Sequence, residues 1–293
     1  MSGASVSIRA LLREGEQTLA AGPHPAKARL DAEFLLLHLL RREDSSRNRA
    51  FLIAHSNRPT SHGPEFRALV RRRLTGEPIQ YMTGETEFYG LPFRVTPAVL
   101  IPRPETEGLV EKVLSLAAGF SAPRIIDVGT GSGAIPIALA AHLSQASITS
   151  IDLSAEALMV ARGNAALNGV EAEIRFLEGD LLTPVLAERF EVVVSNPPYV
   201  PLEDRPAMDV EVREYEPSLA LFAGEDGLSI YRRLIPQAFS VLVEGGWLAM
   251  EIGYGQREAI ESLLSENGFE QIEFVADLQE IPRVVCARKR AGV

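Results

Sequence analysis

Residues 124–133 read Arg-Ile-Ile-Asp-Val-Gly-Thr-Gly-Ser-Gly, a short apolar run that ends in three alternating glycines. Such a run reads as a buried strand turning sharply into a helix, whose N-terminal amides face whatever lies past the strand. Downstream the unit recurs: a helix from about Ile135 to His142, the strand SITSID, a helix from Ala155 to Leu167, then EIRFLE and EVVVSN. Alternation of this kind implies a parallel sheet with helices on both faces. A polar, proline-bearing insertion follows, then a helix from about Leu228 to Leu242, WLAMEIG, another helix, and two strands near IEFVA and RVVCARK. The expected fold is α/β, a doubly wound sheet of seven strands.

Upstream the text differs. Leu11, Leu12 and Leu19, then Ala32, Leu35, Leu36, Leu39 and Leu40, recur at three- and four-residue intervals, which predicts a small helical bundle over residues 1–75. Residues 76–98, with aromatic and β-branched residues around Gly84, Gly90 and Pro92, read as a β-hairpin linker, and 99–293 as the α/β domain. Pro104 and the acids of Ile101-Pro-Arg-Pro-Glu-Thr-Glu107 suit the first turn of a helix.

With 46% apolar and 23% charged residues, the composition is that of an ordinary globular protein. No run approaches the roughly 18 apolar residues of a membrane span, and MSGASVSIRALLREGEQ carries acids where a signal peptide has its apolar run, so a cytoplasmic protein is expected. The single cysteine, Cys286, excludes an internal disulfide, and His24, His38, His55, His62 and His142 lack ligand spacing, so no metal is expected. Residues 1–85 hold 13 basic and 9 acidic side chains, whereas 86–293 hold 16 and 30. A catalytic half that acidic repels a polyphosphate backbone, which argues against direct nucleic-acid binding. The run Arg71-Arg72-Arg73 reads as a solvated helix face.

The loop Gly129, Thr130, Gly131, Ser132, Gly133 by itself could hold NAD, FAD or S-adenosylmethionine. Asp152, which ends the next strand, can accept the hydrogens of a ribose diol. Asp127 beside the loop is awkward near a pyrophosphate but suits a sulfonium and an ammonium group, which favours S-adenosylmethionine. Asp180 and Leu181, after the third strand, stand where an adenine could meet an acceptor and an apolar wall.

The methyl acceptor of such a cofactor must then be sought in Ser195-Asn196-Pro197-Pro198-Tyr199-Val200, a loop stiffened by two prolines at the end of another strand. The Asn196 side-chain oxygen and the Pro197 carbonyl can each accept one N–H of a planar NH2 group, with Pro198 stiffening the corner and Tyr199 packing on the flat face. Two acceptors align the nitrogen as charge develops.

DVGTGSG followed by SNPPYV resembles the amino-group S-adenosylmethionine methyltransferases, whose domain is Rossmann-like. The finer resemblance, carried by DAEFLLLHLL, EPIQYMTGETEFYGLPFRV, IPRPETE, YEPSLALFAGEDGL and the terminal RVV, is to the HemK/PrmC family, the glutamine-N5 methyltransferases of class I peptide-chain release factors. It implies that Gly129 to Gly133, Asp152 and the Asp180-Leu181 corner hold S-adenosylmethionine, and that Asn196 to Tyr199 hold the glutamine of a Gly-Gly-Gln loop. Arg103, Glu105 and Glu216, with Pro217, look like the family's substrate entrance. Leu181 departs from the tryptophan of some relatives, which implies a looser adenine sandwich. The excess of positive charge in the first 85 residues suggests that the bundle docks the release-factor body. Rival readings are a ribosomal-protein glutamine methyltransferase, which differs in its N-terminal text, an adenine or guanine methyltransferase, and a nucleotide-binding module that leaves the proline loop without a role.

Overall fold

In a computed structural model, which describes residues 6–290, one seven-stranded sheet spans the second part of the chain. The opening residues of MSGASVSIRA, weighed above as a leader, lie outside the described residues. The strands are β1 (Arg124–Val128), β2 (Ser147–Asp152), β3 (Ile174–Glu178), β4 (Phe190–Ser195), β5 (Leu242–Glu251), β6 (Phe269–Ala276) and β7 (Pro282–Lys289). Their order across the sheet is β6-β7-β5-β4-β1-β2-β3. The strands β1 to β5 pair in parallel, and β7 runs antiparallel to β5 and β6. The expectation of a parallel sheet fails for that last pair because only residues 277–281 join β6 to β7, too few for a crossover.

The chain order reverses between β1 and β4, which opens a crevice past their carboxyl ends. Val192 and Val194 pack into the core shared with the helices Glu107–Ala117, Ala134–His142 and Ala155–Leu167. Val193 packs into the opposite core, against Ser229–Val241 and Arg257–Glu266. This two-residue alternation is what a strand buried on both faces requires. At the crevice the Ser195 hydroxyl donates to the Val128 carbonyl at 2.7 Å, tying β4 to β1 where both end.

By contact the chain divides into two compact units, residues 1–84 with Asp209–Tyr215, and residues 85–208 with 216–293. The hairpin expected within 76–98 is made of Glu85–Phe88 and Leu91–Arg94, with Tyr89 and Gly90 both at positive φ in its two-residue turn. It belongs to the sheet-bearing unit: Phe88 and Phe93 enter the first core, and the Asn164 amide bonds both the Arg94 N–H (2.7 Å) and its carbonyl (2.9 Å). Residues Ile79–Thr83, read as extended, are helical and belong to the first unit.

The first unit is a bundle of Ile8–Leu19, Ala28–Arg41, Arg49–Ala54 and Gly63–Leu74 around Leu11, Leu35, Leu36, Leu39 and Phe66. Gly15 permits the close approach, since a Cβ there would lie 2.6 Å from Phe66 Cζ. Arg73 corrects the solvated-face reading of the arginine run: Arg71 and Arg72 are exposed, but Arg73 is 3% exposed and donates to Asp31 at 2.7 Å and to Glu211. A guanidinium leaves water only with carboxylate partners, and Glu211 arrives from far along the chain, beyond the reach of a pattern reading. His24 lies 3.4 Å from Asp209 and 3.1 Å from Glu211, a group with metal-ligand geometry, but Glu211 already serves Arg73.

Candidate active site

The crevice holds a cavity of about 400 Å³ within the sheet-bearing unit. Four residues of the glycine loop, Gly129 to Ser132, line it, together with Asp152, Asp180, Leu181, Asn196 and Pro198. The loop leaves β1 with Gly129 and Thr130 N–H groups donating to the Ile151 carbonyl at 2.8 and 3.1 Å. Gly133 does not line the cavity: its φ is +84°, and a Cβ there would stand 2.8 Å from Ile137 Cδ1 and 3.1 Å from Ala161 Cβ. That glycine is required by packing of the following helix rather than by a ligand.

Two carboxylates brace the loop. Asp152 Oδ2 accepts from the Gly131 N–H at 2.8 Å and Oδ1 from the Ser154 N–H at 2.9 Å, so the same acid that lines the cavity also holds the loop. Burial raises its pKa. Asp127 is fully buried and absent from the cavity wall; Oδ2 accepts from the Thr130 and Ser150 hydroxyls, while Oδ1 has no hydrogen-bond partner. Burial pushes Asp127 up to about 7 against the pull of those two hydroxyls. Asp180 is half exposed and pairs with Arg233, a cavity-lining cation that the sequence did not single out. Leu181 holds a positive φ of 53° at this corner.

On the other side of the crevice, Asn196 reaches the cavity from the end of β4 and its Nδ2 donates to Thr106 Oγ1 at 3.1 Å. Thr106 in turn donates to Glu251 Oε2 at 2.6 Å. Tyr199 departs from the expectation that it packs on a substrate amide: its ring joins the second core, its hydroxyl donates to Glu251 Oε1 at 3.3 Å, and it is not part of the cavity wall. Pro197 is buried and likewise off the wall. The loop is clamped from behind, because Gln256 Nε2 donates to the Tyr199 carbonyl at 3.0 Å, and Val200 pairs with the 221–223 segment. Burial pushes the Tyr199 phenol and the Glu251 carboxyl upward, the latter opposed by its bonds from Thr106 and Tyr199.

At the mouth, Arg103 lines the cavity and donates to Glu216 Oε1 at 2.6 Å, whose side chain is buried. Glu105 points elsewhere: it is exposed and off the wall, because the turn Pro104–Thr106 directs its third residue inward instead. Thr106 and Glu251 were not singled out. Glu251 had a signal, a carboxylate in the otherwise apolar WLAMEIG, and such a charge is seldom buried without a partner. Thr106 had only its place in IPRPETE.

Comparison with known proteins adds to this geometry. Residues 10–84 match the family model described as the PrmC N-terminal domain, and 106–209 that of the methyltransferase small domain. The release factor glutamine methyltransferase of Koribacter versatilis is 42% identical over 264 residues, covering 89% of this chain and 91% of its own. That of Deinococcus radiodurans is 38% identical over 289 residues, covering 98% of this chain and all of its own. Among solved structures, the hMettl16 catalytic domain superposes with a TM-score of 0.56 at 18% identity, over 68% of this chain and 76% of that one, a likeness of fold.

Proposed function

The chain belongs to the family of release factor glutamine methyltransferases, and on that premise we propose that it transfers a methyl group from S-adenosylmethionine to the side-chain amide nitrogen of the glutamine in the Gly-Gly-Gln loop of class I release factors. One observation carries the reading: the glycine loop after β1 and Asn196 after β4 line a single cavity. The match of residues 10–84 to the PrmC N-terminal domain supports the release-factor substrate over a ribosomal one.

The residues present fit the cofactor. The cavity suits a ligand of that size, Asp152 keeps lone pairs for a ribose diol, and Asp127, behind the wall with an Oδ1 that has no hydrogen-bond partner, braces the cavity-lining Thr130 and places a carboxylate behind the loop that faces the cofactor. When bound, S-adenosylmethionine supplies an electrophilic methyl group on a sulfonium. The Asp180-Leu181 corner is assigned to the adenine, with Arg233 holding the Asp180 carboxylate.

A glutamine amide nitrogen is poorly nucleophilic because its lone pair is delocalised. Asn196 Oδ1, at the cavity wall, accepts one of its N–H groups, which orients the nitrogen and encourages the lone pair to localise, while Pro197, buried behind the wall, stiffens the corner instead of supplying the second acceptor expected from sequence. That nitrogen would take the methyl carbon from the bound cofactor, with its sulfur as the leaving group, and the amide would give up one N–H proton to water. Pro198 walls the amide on the cavity side, and Tyr199 holds the loop rather than stacking on the substrate. Arg103 and Glu216 frame the entrance, which thin glycines on the substrate can thread. The first unit is read as the dock for the release-factor body, with Leu30 and Phe34 exposed one turn apart on Ala28–Arg41. A substrate of translation implies a cytoplasmic enzyme; among the described residues no helix is long and apolar enough to cross a membrane.

The reading is tested by incubating the protein with labelled S-adenosylmethionine and purified class I release factor and locating the label by mass spectrometry. Label on the Gly-Gly-Gln glutamine is expected; label on another residue, or only on nucleic acid, overturns it.

A further inference from the structure

We propose that Glu251, acting through the Thr106 hydroxyl, decides which atom of the Asn196 amide faces the substrate. The two ends of a side-chain amide are nearly isosteric, so its orientation has to come from its partners. Thr106 has one hydroxyl proton, and it donates that proton to Glu251 Oε2 at 2.6 Å. Its oxygen is then left as an acceptor toward Asn196, where Nδ2 donates at 3.1 Å. Oδ1 remains for the cavity, in the acceptor role that an incoming NH2 group needs. With no acceptor behind it, the Thr106 proton is free to point at Asn196 Oδ1. The amide then turns over and meets the substrate NH2 with an NH2 of its own.

The surroundings are built for this. Glu251 is 2% exposed and off the cavity wall, and Thr106, which lines the cavity, is only 4% exposed, so the bond between them is largely shielded from water. The other carboxylate oxygen accepts from the Tyr199 hydroxyl at 3.3 Å, so one side chain pins both ends of Asn196–Tyr199. The Glu251 carbonyl accepts from the buried Tyr231 hydroxyl at 2.8 Å, which fixes the strand end that carries it. A buried carboxylate is costly, and an apolar residue of similar volume could have filled this position at the end of β5. In this proposal Glu251 and Thr106 are positioning residues, since Glu251 stands off the cavity wall and the Thr106 hydroxyl is engaged by Glu251 and Asn196.

This inference rests on the reading of Asn196 as the amide acceptor, and the experiment separates the two. Single-turnover methylation of release factor is measured for Thr106→Val, Thr106→Ser, Glu251→Met and Asn196→Ala, alone and combined, with the cofactor Kd and thermal unfolding of each. Thr106→Val is nearly isosteric, with its fold checked by the unfolding measurement, and Thr106→Ser keeps the hydroxyl. Thr106→Val and Glu251→Met are each expected to slow transfer roughly 10- to 100-fold with cofactor Kd within about twofold, and Thr106→Ser to recover to within about threefold of the parent. In the Asn196→Ala background neither change is expected to slow transfer further, because there is no amide left to orient. Full additivity there, or a Thr106→Val rate near that of the parent while Asn196→Ala is inactive, overturns the inference and leaves the acceptor reading intact. An active Asn196→Ala protein overturns the acceptor reading itself.

Discussion

Two loops leave adjacent strands at the same end of the sheet and are made of opposite materials. After β1 the chain runs through glycines at positive φ and presents backbone to the cavity, braced by carboxylates of its own strand and the next, Asp127 and Asp152. After β4 it runs through two prolines and presents one polar side chain, Asn196, whose orientation comes from Thr106, some 90 residues earlier, and through it from Glu251. The first loop carries its geometry in its own residue types. The second is stiff in backbone, but its one functional group is set by elements distant in the chain. Binding a cofactor by backbone tolerates local design, whereas aligning a single acceptor requires buried partners that cannot move.

If that division holds, changes on the proline side affect rate, and changes on the glycine side affect cofactor affinity and stability. The largest expected effect is that of Asn196→Ala, which should lower kcat by roughly 10²- to 10³-fold with little change in cofactor Kd measured by calorimetry. Next is Gly133→Ala, where the positive φ and the crowding from Ile137 and Ala161 are expected to cost about 1–3 kcal/mol in urea unfolding and to weaken cofactor binding. A parent-like unfolding midpoint for that variant would break the assignment of Gly133 to helix packing.

Asp127→Asn sharpens the comparison because its two effects have opposite signs. Burial raises Asp127 to about 7 from 3.8, so the folded protein binds more protons than the unfolded one between those values. The stability this group contributes is present below about pH 4 and lost as pH rises through about 7. Asp127→Asn should therefore be more stable than the parent at pH 8, by on the order of 1–2 kcal/mol, with the gap closing toward pH 4 in thermal unfolding. Its cofactor affinity should meanwhile fall about tenfold, because the carboxylate that braces Thr130 of the glycine loop is lost. The smallest effect is expected for Phe34→Ser on the first unit, a rise of about three- to fivefold in KM for intact release factor and none for a short Gly-Gly-Gln peptide. An equal rise for the peptide would place Phe34 in the action of the loops rather than in docking.

The residue types alone were enough for the strand-glycine-helix start, the seven strands, the acid after β2 and the proline corner, because each rests on a local rule: periodicity, turn freedom, ring stiffness. The same text was misleading for Tyr199, Glu105 and Arg73, whose roles depend on which way a side chain turns once the chain is packed. Only the folded molecule determined that Asp209–Tyr215 joins the first unit, that β7 runs antiparallel, and that Thr106 and Glu251 stand behind Asn196. The physical reason is range. Backbone preference is written within a few residues, but the direction of a hydrogen bond in a dry interior is set by whichever group arrives there from elsewhere in the chain.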